Sequence, residues 1–473
     1  LAGAMLTSGA VAEVDIASKP LFVTAGVDPN VIAGIDNSGS MDSEVLLPAN
    51  DGALWWHSTN GSFTGLDGRN SAALGALNYN QAGTATTTWK KYVYLFPNGD
   101  GTGERVYDDA ANDHYAIAPF RQYAFVRSAA YNGMYYDPAQ TYEPWPDAGG
   151  YTFSDVVPSQ APSDPTNGSS TFDLTRVHRD AGTHERFFLQ AGMVVPAGVV
   201  TFEDGAWSAD STDVTRIAPE AEAVEYYPAT YYLPIAGYRM YTLSASAATT
   251  TSSSISGNCA SPSAAHYLAF ENNPSKLSGV DALAYDGVCL EKVEIVDDGR
   301  SFPSGRSYDE EMQNFANWWT YYRKRHLATR AGIGLAFQNL SGIRMGALTN
   351  NSRTLNGMYS LSDDTERNSF FRFIYEVDGN RGGTPNRETL DYIGNSFDSN
   401  GSIITESCQQ NFALLFTDGF ANPSTAAGLG NVDGSLDAPF SDTYGNTIAD
   451  IAAHYYEKTL RPGDFQSGRV PTP

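Results

Sequence analysis

Five apolar or small residues, Val31-Ile-Ala-Gly-Ile35, run straight into Asp36-Asn-Ser38-Gly-Ser40-Met-Asp42. A short apolar run without alternation is the pattern of a strand buried on both faces, as in a parallel sheet. Asn411-Phe-Ala-Leu-Leu-Phe416 repeats it and ends in Thr417-Asp418-Gly419, and Ile343–Thr349 predicts a further strand. Helical patterns lie between them. Ser307-Tyr-Asp-Glu310 forms a capping box, and Met312, Phe315, Ala316, Trp319 and Tyr322 follow at helical spacing, a stripe read as core packing. Helices are also predicted over Arg330–Leu340, Thr365–Val377, from the Gly382-Gly383-Thr384 turn to about Phe397, and over Asn446–Leu460, with Asp363 and Asp364 as caps for the second. The order β-α-β-α-α-β-α predicts an α/β fold with a doubly wound, mostly parallel sheet.

The intervening stretch is dense in Gly, Ser, Thr, Tyr and Pro. Thr88–Phe96, Tyr123–Arg127 and Val194–Phe202 read as strands, and Ser244–Ser256 as a low-complexity loop. The chain therefore divides into 13–42, which opens the α/β domain, a large mainly-β insertion over 43–306, and the remainder of the domain over 307–473.

Open α/β sheets bind ligands at the C-terminal ends of their strands. Asp36, Ser38 and Ser40 fall at one such end, Asp418 at another, and Thr384 in the glycine turn before a helix. Five oxygen donors from three remote segments suit a hard divalent cation, Mg²⁺ or Ca²⁺. If one carboxylate acts only through water, the ion keeps uncompensated charge and an open position attracts an acidic side chain of a partner. Singly, each residue has a simpler role: Asp36 in an Asx-turn, Thr384 as a helix cap, Asp418 in a turn. Nothing points to catalysis. His184-Glu185 starts like a zinc-protease motif, but Phe188 replaces the second histidine, and no Gly-Lys pair forms a phosphate loop. Asn98–Asp109 partly matches a calcium loop, with a glycine-rich hairpin as the other reading. Trp55-Trp56 and the Tyr-Tyr pairs serve packing or a sugar- or surface-binding patch.

Composition narrows the class. The 473 residues carry a net charge of −25, which argues against a nucleic-acid partner and fits a secreted protein that binds cations. Leu1–Ala12, ending in Ala10-Val11-Ala12, matches the tail of a secretory signal, and no apolar run is long enough to span a membrane. Of three cysteines, Cys259 and Cys289 are the expected pair, leaving Cys408. A sheet of this type is expected to carry at least one further strand beyond Pro473.

Asp36-x-Ser38-x-Ser40 with Thr384 and Asp418 resembles the metal-ion-dependent adhesion site of von Willebrand factor A domains. Along almost its whole length the chain resembles the PilC/PilY family of type IV pilus tip and biogenesis proteins. The matching residues are Asp15–Phe22, Val27–Val31, Asp36–Met41, Tyr135-Tyr-Asp-Pro-Ala-Gln-Thr-Tyr-Glu-Pro-Trp145, Glu311–Trp318, Thr320–Arg323, Gly382–Pro385, Cys408–Phe412 and Asp450–Pro462. The resemblance implies an exported adhesin and pilus assembly factor at the pilus tip, cell surface or outer membrane. Its implied partners are minor pilins and a host or abiotic surface. The alternatives are a structural priming factor whose metal only braces loops, and a generic secreted von Willebrand factor A binding module. The family's calcium-binding propeller falls outside these residues and no Arg-Gly-Asp occurs in them, so neither activity carries over.

Overall fold

A computed structural model describes residues 26–46, 126–179, 222–239, 288–379, 381–419, 421–422, 428–438, 440–461 and 463, with short stretches, mainly strands, between 55 and 249. The central strand is β1 (Asn30–Ile35). It pairs in parallel with β2 (Arg344–Thr349) on one side, while β3 (Tyr359–Ser360) adds antiparallel to the outer edge of β2. On its other side β1 pairs in parallel with β4 (Asn411–Phe416), giving the order β3-β2-β1-β4. The chain steps from β1 to β2 on one side and later crosses to β4 on the other. The C-terminal ends of β1 and β4 therefore flank the point where the winding reverses, the usual ligand crevice of such sheets.

Among the described residues five helices accompany the sheet: α1 (Tyr308–Tyr321), α2 (Arg325–Phe337), α3 (Asp364–Tyr375), α4 (Asn386–Ser399) and α5 (Ile448–Glu457). Alternate β1 side chains serve two cores. Val31, Ala33 and Ile35 join Phe315, Leu327, Phe370 and Ile374 on the α1–α3 side. Ile32 joins Leu348, Ile393 and Phe397 on the α4 side. Helices thus cover both faces, and the described fold is mixed α/β. Gly34 lets α4 approach β1: a Cβ there would lie 2.7 Å from both Leu415 and Thr389. Among the described residues no helix is long and apolar enough to cross a membrane.

The stripe on α1 is core. Met312, Phe315, Ala316 and Trp319 are buried, and Ser307 and Glu310 form the expected capping box. The polar residues between them fasten the irregular chain of 134–156. Asn314 takes the amide of Tyr142 (2.8 Å) and donates to the Tyr136 hydroxyl (2.9 Å). Asn317 takes the amide of Val156 (3.0 Å), and Trp318 Nε1 donates to the Met134 carbonyl (3.0 Å). Extended chain without strand partners must satisfy its backbone elsewhere, and α1 supplies those partners. Tyr135, Tyr136 and the Glu311–Trp318 segment, family signatures by sequence, are therefore packing devices in this structure.

Three local expectations are corrected. Of the segment expected as a strand over Tyr123–Arg127, residues 123–125 lie outside the described residues, while Val126 and Arg127 form a 3₁₀ turn in which the Arg127 guanidinium is buried and donates to the carbonyls of Leu95 and Ala118. Helix α2 begins at Arg325, five residues before the apolar pattern, because its first turn is charged yet buried. Within the segment read as the loop Ser244–Ser256, Ala247–Thr249 pairs antiparallel with Thr242–Ser244.

Candidate metal site

The carboxylate of Asp36 leaves the end of β1 beneath the loop it starts. Its Oδ1 accepts the Ser38 amide (2.9 Å) and its Oδ2 the Thr417 hydroxyl (2.7 Å), so β1 and β4 are joined at their tips. The chain then turns into a short 3₁₀ helix, Gly39–Asp42. This turn brings Ser38 Oγ to 3.1 Å from Ser40 Oγ, and Ser40 Oγ donates to Asp418 Oδ1 at 3.1 Å. Four of the five sequence-predicted residues thus form one hydrogen-bonded cluster across the switch point.

The fifth sits on a turn locked against that loop. The Gly39 amide donates to the Gly382 carbonyl (3.2 Å), and the Arg381 amide to the Asn37 carbonyl (2.7 Å). Gly382 has φ +65°, and a Cβ on Gly383 would stand 2.6 Å from Asn422 Oδ1, so both glycines are required. Thr384 is buried and is held by its backbone: its amide donates to Asn422 Oδ1, and its carbonyl accepts the Asn422 amide (3.0 Å). A cavity of about 450 Å³, lined in part by Asn37, Asn351 and Arg381, opens beside this turn.

Burial pushes the Asp36 carboxyl above its usual value, and the charge of Asp418 adds to this, while the bonds from Thr417 and Ser38 oppose it. Asp418 has a permanent counter-charge. Arg325 Nη1 reaches its Oδ2 at 2.5 Å, both side chains being buried, and Arg325 is itself fixed by the Val45 carbonyl. Arg325 belongs to a basic run, Arg323-Lys324-Arg325-His326, at the start of α2, where cations oppose the helix dipole. Each finds an acid on the opposite wall. Arg323 Nε is 3.2 Å from Glu44, Lys324 Nζ is 2.6 Å from Asp42, and His326 Nε2 is 3.7 Å from Asp42. Burial alone would raise Asp42, but Lys324 and His326 hold it well below the carboxylate range.

Sequence reasoning missed Asp42, Glu44 and these bases. The available signal was four consecutive basic residues directly after an aromatic helix in a chain with 29 Lys plus Arg against 54 Asp plus Glu. Such a run, beside core, needs buried partners.

The donor set fits a hard cation. Among the described residues no three His, Cys, Asp or Glu side chains are placed to hold a metal. The cluster instead offers two hydroxyls with two carboxylates, all oxygen, and the second oxygen of Asp418 is already balanced by Arg325. The Asn98–Asp109 loop and His184-Glu185 lie outside the described residues, as do the side chains of Trp55 and Trp56 and the expected Cys259–Cys289 pair. Cys408 is exposed and free.

By sequence this chain is similar to curated proteins of type IV pilus biogenesis. It is 32% identical to the type IV pilus biogenesis factor PilY1 of Pseudomonas aeruginosa strain PAK, over 32% of this chain and 16% of the relative. The PilY1 proteins of strains PAO1 and UCBPP-PA14 are each 30% identical over 32% of this chain, covering 16% and 15% of their length. The chain therefore spans about a sixth of the length of these relatives, and the alignments cover a third of it, less than its motifs alone imply. No family model matches the chain, and no solved structure matches it.

Proposed function

We propose that this chain is an exported, von Willebrand factor A-like module of a type IV pilus adhesin and assembly factor, and that it binds partners rather than catalysing a reaction. Asp36, Ser38, Ser40, Thr384 and Asp418 hold one Mg²⁺ or Ca²⁺ as a metal-ion-dependent adhesion site. The observation that carries this reading is the contact of Ser38, Ser40 and Asp418, from segments 378 positions apart, at the switch point of the sheet. When bound, the cation supplies a Lewis-acid position for a carboxylate from a minor pilin or from a host or abiotic surface. The chain's own part is to hold the hydroxyls and to balance Asp418 with Arg325. The relatives named as type IV pilus biogenesis factors support a pilus setting.

Titration calorimetry with MgCl₂ and CaCl₂ tests the site. Asp36→Ala is expected to weaken binding at the switch point about 100-fold or more while the far-ultraviolet circular dichroism is kept, since site affinity follows ligand charge and count. Unchanged affinity refutes the site. A second reading, in which the ion only braces loops for pilus assembly, draws on the ties of this loop to α2 through Arg325 and Lys324. Capture of minor pilins that persists in chelator would favour it over carboxylate bridging.

A further inference from the structure

The chain that follows Asp418 returns to α5 through a loop closed at its base. Asn446, at φ +62°, exchanges backbone and side-chain hydrogen bonds with Gly430, each at 2.9 Å. Asp450, in the first turn of α5, spends its carboxylate on this base. It takes the amides of Val432 (2.6 Å), Asp433 (3.3 Å) and Thr447 (2.7 Å) and the Thr447 hydroxyl (2.9 Å). Asp433 has no such employment. It is 1% exposed, and neither of its carboxylate oxygens accepts a hydrogen bond of proper geometry; the Asp442 amide only approaches.

A hidden carboxylate without partners is costly, and in native structures it calls for a water or an ion. The negative charges of Asp442 and Asp450 face the same carboxylate and make a cation the better answer. The sequence supplies the donors in order. Asn431, Asp433, Ser435, Asp437 and Asp442 stand at the first, third, fifth, seventh and twelfth places of a twelve-residue loop, the spacing by which a chain wraps Ca²⁺ with alternating oxygens. Two departures set limits. Leu436 takes the sixth place, where such loops favour glycine, and one Asp442 oxygen already accepts the Tyr444 amide (2.7 Å). Among the described residues no three carboxylates converge, so carbonyls, Ser435 and water complete the shell. Mg²⁺ demands a stricter octahedron than such a loop offers.

We infer that Asp433 is the central ligand of a second cation site, a Ca²⁺ site in the 430–446 loop, separate from the Asp36 cluster. Its place gives it a use: the same loop carries Phe440 and Tyr444, 70% and 72% exposed. A cation bound at Asp433 fixes the loop on which these aromatics are presented.

The experiment uses the Asp36→Ala chain, which silences the switch-point site, with CaCl₂ as the probe. Calorimetry is expected to show one site of Kd about 0.1–1 mM, the range of extracellular modules with few charged ligands. Adding Asp433→Asn abolishes it, and adding Asp442→Asn weakens it about tenfold. Ca²⁺ should also slow chymotrypsin cleavage at Phe440 and Tyr444 in the Asp36→Ala chain and not in Asp36→Ala/Asp433→Asn. The inference is overturned if the Asp36→Ala chain binds no Ca²⁺, or if both double variants bind it as the single variant does. Should Asp433→Asn not fold, Asp442→Asn decides alone. If the Asp36 site fails but this one holds, the unsubstituted chain and Asp36→Ala bind the same single Ca²⁺.

Discussion

Replacing Arg323 with Met is expected to lower the unfolding free energy by about 3–5 kcal/mol, the cost of leaving a buried charge without its partner. Glu44 and Arg323 are each 1% exposed. Glu44 has two further bonds, from the amides of Leu95 (2.6 Å) and Phe96 (3.0 Å), so it is held in place when the arginine goes. Arg323 also donates to the carbonyls of Ser163 (2.9 Å) and Trp319 (2.7 Å) and lies 3.8 Å over the Trp319 ring. One guanidinium therefore ties the loop after the metal motif, the Ala161–Phe172 hairpin and α1 together. The double variant Glu44→Gln/Arg323→Met removes both charges and should recover more than half of the loss. The check is chemical denaturation followed by tryptophan fluorescence; a shift of the single variant below 1 kcal/mol would mean the pair is not desolvated.

What the sequence made legible, and what it hid, has one physical origin. Strand β1 announces itself because burial on both faces demands an unbroken apolar run, whereas β4 carries the same kind of run although its residues are only half-buried or exposed. The ends of both announce the site because Asp36 and Asp418 follow the runs closely. Local rules also reached the caps: Ser307 with Glu310, and Asp363, which takes the amides of Thr365 and Glu366. The second half of the site was illegible for the opposite reason. Glu44 and Arg323 are 279 positions apart, and nothing periodic marks two charges that will meet in a core. Asp42 reads as the end of a motif until Lys324 is seen beside it. The 134–156 stretch hid for a related cause: its order comes from α1 side chains, not from a strand pattern of its own. Long-range polar pairing is set by topology, so it appears only once the winding is known.

Acidification should cost stability in a window set by His326. Burial lowers its pKa from the ordinary 6.5 to about 4, and the cations of Arg330 and Lys324 push the same way against the favourable Asp42. Its ring is placed for the neutral form, with Arg330 Nη2 3.2 Å from Nδ1 and Asp42 3.7 Å from Nε2. The unfolded chain takes up a proton below pH 6.5, whereas the folded chain resists until about pH 4. Stability therefore falls as pH drops through this interval, by about 3 kcal/mol at pH 4 from this residue. Asp42 acts lower down: its carboxyl is held well below the ordinary value of 3.8, so its share is present above that value and lost only beneath it. His326→Gln keeps an acceptor toward Arg330 and a donor toward Asp42 without a titrating group. Urea midpoints of the two proteins should agree at pH 7.5 within about 1 kcal/mol and diverge progressively toward pH 4, with the glutamine variant the more stable. Parallel curves across that range would show that another group carries the acid loss and that the basic run of α2 does not sense pH through His326.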